Sequence, residues 1–252
     1  MLATVWLNGG EGQLILSLVG MSWYANYSYI GEHDEASAAE CFRRACLVDY
    51  GTLKQTMRVE YPHGGEYAFS RALLYNDPLT GMMDAHIKGL DARSYYKDLT
   101  RDLSSFEGLG EFSFSVETVR ALSSLLEDKS DFGIRLTEAY KSRDREALAS
   151  LATECDLIAD KVMALRDANR VSWMRYCKPF GWEVLDVRYG GIRARFETAR
   201  SRILAFLAGE ISSIEELEEE RLRFDCIENC ETRDSGRFNW YRFGEIYTAG
   251  IR

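Results

Sequence analysis

Apolar residues recur at every third or fourth position along the second half of the chain. Tyr95, Leu99, Leu103 and Phe106 open the series, and Val116, Val119, Leu122, Leu126, Phe132, Leu136 and Tyr140 continue it with charges between them. That period is helical, so one helix is predicted from Ser115 to Lys141. "SRDREAL" follows as a turn with Ser142 or Asp144 as the cap, and a second long helix runs from Arg145 to about Cys177, where Pro179 and Gly181 stop it. A third runs from about Val187 to Gly209, a glycine in the usual place of a left-handed C-cap; Gly190 and Gly191 inside it mark a close helix contact. Ser213 and Glu216 have the spacing of a capping box ahead of a short acidic helix. Long helices joined by short turns predict a mainly α fold, an antiparallel bundle of four or five members.

The first part of the chain has a different texture. Glycine-rich turns, aromatic clusters such as "WYANYSYIGE" and short helical stretches alternate there, and the change falls near residues 88 to 94. Residues 1–90 and 91–252 are therefore predicted as separate units. "ATVWLNGGEG", residues 3–12, reads as a strand that ends in Trp6 and runs into a glycine turn carrying Asn8 and Glu11. A strand of this form presents side chains to a ligand at its carboxyl end.

Composition narrows the partners. The 252 residues carry a net charge of -9, with 31 Lys and Arg scattered among 40 Asp and Glu, so a polyanion is repelled on average. Nucleic acid and anionic membrane surfaces are thereby disfavoured, and neutral ligands are not. With no basic-flanked leader and no apolar run of the roughly 18 residues a membrane span needs, the expected location is cytoplasmic. The six cysteines, 41, 46, 155, 177, 226 and 230, are spread thinly and read as reduced thiols filling apolar space. "CIENC" has no second cysteine pair and no nearby histidine to make a zinc site.

The candidate chemistry is sparse. His33, His63 and His86 lie far apart, with no pair at ligand spacing, so no metal is expected. "LNGGEG" lacks the Lys and Ser/Thr of a phosphate loop, and no cofactor is expected. The carboxylate pairs Asp34–Glu35 and Glu127–Asp128 and the run from Glu215 to Glu220 fall on helices or their caps and read as solvated faces. Aromatic residues remain: Trp6, Trp23, Tyr24, Tyr27 and Tyr29 offer either core packing or flat surfaces for a sugar ring. Trp6, just before the glycine turn, favours the ligand side.

These residues resemble a known family. "ATVWLNGGEG" with "LVGMSWYANYSYIGE" is similar to the final barrel strand and its helix in family 20 β-N-acetylhexosaminidases, whose pattern is Thr, an apolar residue, Trp, Gly, Asp, Asp, Gly. "ALLYNDPLTGMMDAH" and the long stretch from "KPFGWEVLDVRYGG" to "IEELEEE" resemble the helical C-terminal domain of the bacterial subgroup that acts on N-acetylglucosamine. The resemblance implies a retaining, substrate-assisted glycosidase. In it a Glu protonates the leaving oxygen, and the Asp beside it orients the substrate acetamide, whose oxygen is the nucleophile. That pair would lie upstream of this chain. Trp6 matches the tryptophan on the wall of the sugar pocket, and Asn8 stands where the family has an acid that bonds the sugar's outer hydroxyls. Leu7 replaces a glycine, and Glu11 is the third substrate-binding candidate.

A (β/α)8 barrel needs about 250 residues, and only about ninety precede the bundle here. The expectation is a C-terminal fragment holding the remnant of a barrel end, catalytically incomplete alone, whose uncovered apolar surface favours a homo-oligomer. The alternative is a helical dimerisation or interaction module without enzymatic activity.

Overall fold

The computed structural model describes residues 13–32, 34–60 and 69–221. Eleven α-helices lie in them: α1 Ser17–Ile30, α2 Glu35–Cys46, α3 Tyr50–Lys54, α4 Phe69–Tyr75, α5 Asp84–Ile87, α6 Ala92–Ser104, α7 Ser113–Lys129, α8 Phe132–Lys141, α9 Arg145–Tyr176, α10 Trp182–Ala208 and α11 Glu215–Glu218. Short 3-10 turns at Leu14–Leu16, Gln55–Glu60 and Gly110–Phe112 join some of them, and no strand occurs among the described residues. The strand expected at residues 3–7 lies outside the described residues.

The long antiparallel pair α9 and α10 organises the rest. Along α9, Leu148, Leu151, Cys155, Ile158, Val162, Leu165, Asn169 and Ser172 are buried, and along α10 Trp182, Leu185, Tyr189, Ile192, Phe196, Ala199, Ile203 and Phe206 are buried. Both series alternate steps of three and four, the seam of a left-handed helix pair. Asp144 starts α9 by accepting a hydrogen bond from the Ala147 N–H, 3.0 Å. Gly181, at φ 96°, and Gly209, at φ 77°, bracket α10 in the left-handed region that favours glycine.

Four sequence expectations are corrected. The helix predicted over 115–141 is two, broken at Ser130 and Asp131, because its apolar residues do not share one destination. Val116 packs with Phe42 and Phe112, Val119 and Leu126 with Tyr96 and Leu99, and Phe132, Leu136 and Tyr140 with the α9–α10 seam. Gly190 is exposed, and a Cβ there would meet no atom within 4 Å, so it marks no close contact; the pair meets through large side chains instead. α10 also begins at Trp182, ahead of the expected Val187. The capping box does not form. Ile214 is fully buried and its N–H donates to the Tyr140 hydroxyl, 3.2 Å, which fixes the approach to α11; Ser213 Oγ donates instead to Glu215, 3.3 Å.

The composition change near residue 90 does not interrupt the apolar packing: Leu73 and Ile87 share a cluster with Tyr96, Leu99 and Leu126. Beyond α10 the chain crosses α8 as a strap, residues 210–221, pinned by buried Ile214 and Leu217.

Candidate functional site

Trp6, Asn8 and Glu11 lie outside the described residues. Among the described ones, ionisable side chains converge inside the bundle, at the turn between α4 and α5. "NDPLTG" builds that turn. Asp77 Oδ1 accepts from the N–H groups of Leu79 and Thr80, both 2.9 Å, and the Gly81 N–H donates to the Asp77 carbonyl, 2.9 Å. Pro78 fits such a turn because its fixed φ suits the position after the Asx residue. Asn76 bridges the turn's two sides: its Oδ1 accepts from the Met83 N–H and its Nδ2 donates to Asp84 Oδ1, each 2.9 Å.

Charges from three other elements close on the turn. Arg195 on α10 donates through both Nε and Nη2 to the Asp77 carboxylate. Lys129, the last residue of α7, donates from Nζ to the carbonyls of Leu73, 2.8 Å, and Asn76, 2.5 Å. Arg221 on the strap donates to the Thr80 carbonyl, 2.7 Å, and to that of Leu79. Asp84 is 2% exposed, and space for it is made by two glycines: a Cβ at Gly81 would sit 2.1 Å from its Oδ2 and one at Gly133 2.5 Å.

Burial dominates the electrostatics. It pushes the Asp84 carboxyl above its ordinary range against the Asn76 hydrogen bond and the charges of Arg221 and Lys129. At Asp77 burial acts the same way but is outweighed by the hydrogen bonds from Arg195, Thr80 and Leu79 and by the Arg195 charge, so that carboxyl is held below its usual value. The Lys129 ammonium is pulled down by burial to about 7 despite Asp77 and Asp84. This cluster has the chemistry of a clamp on a turn. No group of three or more His, Cys, Asp or Glu that could hold a metal ion occurs among the described residues.

Sequence reasoning missed every one of these groups. The signal available was "NDPLTG", which combines an Asx-Pro turn with a buried acid a few residues on; the partners come from residues 129, 195 and 221, which no local pattern connects. The carboxylates read as solvated are also corrected in part. Asp128 is buried and binds Lys161 and, at 3.4 Å, Arg93. Asp34 caps α2 through the Ser37 N–H, 3.0 Å, and Glu35 pairs with Lys54. Cys155 fits the expected apolar packing, its thiol pushed up to about 12 by burial, but Cys41 and Cys177 are exposed.

Two surface features stand apart. A groove of about 750 Å³ runs between α6, α7 and α9, floored by Leu103, Val116 and Ala168. α1 carries no charged residue over its 14 positions, yet Met21, Ala25, Ser28 and Tyr29, one wedge of the helix, are exposed. Its inner side rests on α2, where Asn26 donates to Ser37, 2.8 Å, and Ser22 to the Ala38 carbonyl, 3.2 Å. Trp23 and Tyr27 stack on each other, centroids 6.2 Å apart, half-buried along the helix.

The described residues form an all-helical unit gathered around a clamped internal turn. Residues 47–235 match the model of the Glycoside Hydrolase 20C C-terminal domain, and the chain belongs to that family. No curated protein matches the chain. No described helix is long and apolar enough to cross a membrane.

Proposed function

We propose that this chain is the C-terminal part of a β-N-acetylhexosaminidase, an enzyme that removes terminal N-acetylglucosamine from glycans by retaining, substrate-assisted hydrolysis, and that it is catalytically incomplete by itself. Family membership carries the reading. The charge-free α1 supports it: an amphipathic surface helix keeps charges on its outer side, and a helix without them is built to be covered. In this reading residues 1–90 hold the end of the catalytic barrel and 91–252 the bundle. Trp6 forms a wall of the sugar pocket, and Asn8 and Glu11 bond the sugar's hydroxyls. The acid and the acetamide-orienting Asp belong to the upstream part. The chain's own Asp34–Glu35 pair does not supply them, being engaged in the α2 cap and the Lys54 ion pair. The enzyme is placed in the cytoplasm and needs no cofactor.

Purified chain assayed against an aryl N-acetyl-β-glucosaminide is expected to show only the buffer rate. Turnover that disappears in Trp6→Ala would overturn the incompleteness. The second reading, a helical dimerisation module, draws on the same exposed wedge of α1 and is tested by mass: a homodimer that is lost when Met21 and Tyr29 are made polar would favour it.

A further inference from the structure

Asp84 pairs with Arg221 of the strap and feels the charge of Lys129 from α7, whose ammonium is bonded to two backbone carbonyls. Lys129 is 2% exposed, and its Nζ lies 5.5 Å over the Phe196 ring as well as on the two carbonyls it bonds. Arg221 Nε faces Asp84 Oδ2 at 3.6 Å, and neither atom has a hydrogen bond among the described residues. The charged groups facing Lys129 are Asp77 and Asp84. Those facing Arg221 are the same two, and those facing Asp84 are Arg221, Lys129 and Asp77. Arg195 closes Asp77. One negative charge is thus left for two positive ones, Lys129 buried and Arg221 half-buried, and an uncompensated buried cation is costly. Only one of the two can shed its charge, because a guanidinium keeps its proton and an ammonium need not.

We propose that Arg221 and the proton on Lys129 compete for Asp84, so that seating of the strap's end on the 77–84 turn is coupled to loss of a proton from Lys129. The seated state then binds fewer protons than the unseated one, and Arg221 beside Asp84 favours the carboxylate form, which acts in the same direction. Seating therefore strengthens as pH rises, by up to about tenfold per pH unit for a single proton. The first half of the strap is held independently, by Ile214, Leu217 and the pairing of Arg202 with Glu215 and Glu216. Residues 219–221 are the part that moves. The device is a proton-linked clasp whose working range follows from burial of Lys129, which sets its ammonium at about 7.

Two measurements on the full 252-residue chain test this. Hydrogen exchange of the 77–84 and 214–221 segments, corrected for the intrinsic pH dependence, is compared at pH values near 6 and near 8. Opening is expected to be on the order of tenfold greater at the lower pH in the wild type and to lose most of that difference in Lys129→Met, where Asp84 alone titrates. A wild type with no pH effect, or a Lys129→Met chain that keeps it in full, overturns the proposal. Should Lys129→Met not fold, titration of the Lys129 amine by nuclear magnetic resonance in the wild type and in Arg221→Gln decides. Its midpoint is expected to rise by on the order of one pH unit when Arg221 loses its charge. An unchanged midpoint overturns the competition.

Discussion

A glycine's worth depends on what its missing methyl group would touch, and two helical glycines here give opposite answers. A Cβ at Gly133 would collide with Asp84, which is packed against Asn76 and cannot retreat, whereas a Cβ at Gly190 meets nothing. Gly133→Ala is expected to cost about 1–3 kcal/mol, the usual penalty of overpacking a core. Gly190→Ala is expected to add about 0.5–1 kcal/mol, since it removes backbone freedom from a helix interior at no steric cost. Urea unfolding of the two variants checks both signs, and equal effects would mean that the space around Asp84 is not what fixes Gly133. The sequence placed Gly190 at a contact because glycine in a helix commonly marks one. It offered no such hint for Gly133, whose neighbour is remote in sequence.

At the scale of elements, what could be read from the chain is what is local. The bounds of α9 follow from the Asp144 cap and from Pro179 and Gly181, and the C-terminus of α10 follows from Gly209, all features within a turn of the boundary they set. The division between α7 and α8 was illegible because a period of 3.6 says which residues share a side and not which neighbours that side will meet. Val116 and Leu136 satisfy the same pattern and enter different clusters. The α11 cap failed for a related reason, since burial of Ile214 outweighs a hydrogen bond on the surface. The substrate-binding candidates Trp6, Asn8 and Glu11 came from a strand pattern and from the family resemblance, and they lie outside the described residues. For α1, Met21→Glu together with Tyr29→Glu is expected to abolish binding of a hydrophobic dye and to lower any self-association. The urea midpoint should shift little, because Tyr29 is 93% exposed and Met21 about half. Light scattering and dye fluorescence read this out. A large loss of stability would show instead that the wedge already packs within the chain.

At the scale of the molecule, the bundle is closed by contacts of very different reach. Lys129 joins residues 73 and 76, Arg195 joins residue 77, Arg221 joins residues 79 and 80, and Gln13 bonds Asn169 and Ser172, 156 and 159 residues away. Remove the strap and the turn loses one of its anchors; remove the turn and three cations, buried Lys129 and half-buried Arg195 and Arg221, lose acceptors. This mutual dependence is why the clamp can be argued only from the assembled chain.

The α9–α10 seam has a consequence in time as well as in space. Its partners are joined by one short connection, so loop closure between them costs little entropy and can come early, whereas the Gln13–Ser172 bond must wait for a chain of more than 150 residues to be gathered in. Phe196→Ala, in the middle of the seam, is expected to slow refolding, and Ser172→Ala, at the last closure, mainly to speed unfolding. Stopped-flow rates against denaturant separate the two. The reverse assignment would mean that the long hairpin is assembled on a platform already built by the N-terminal helices.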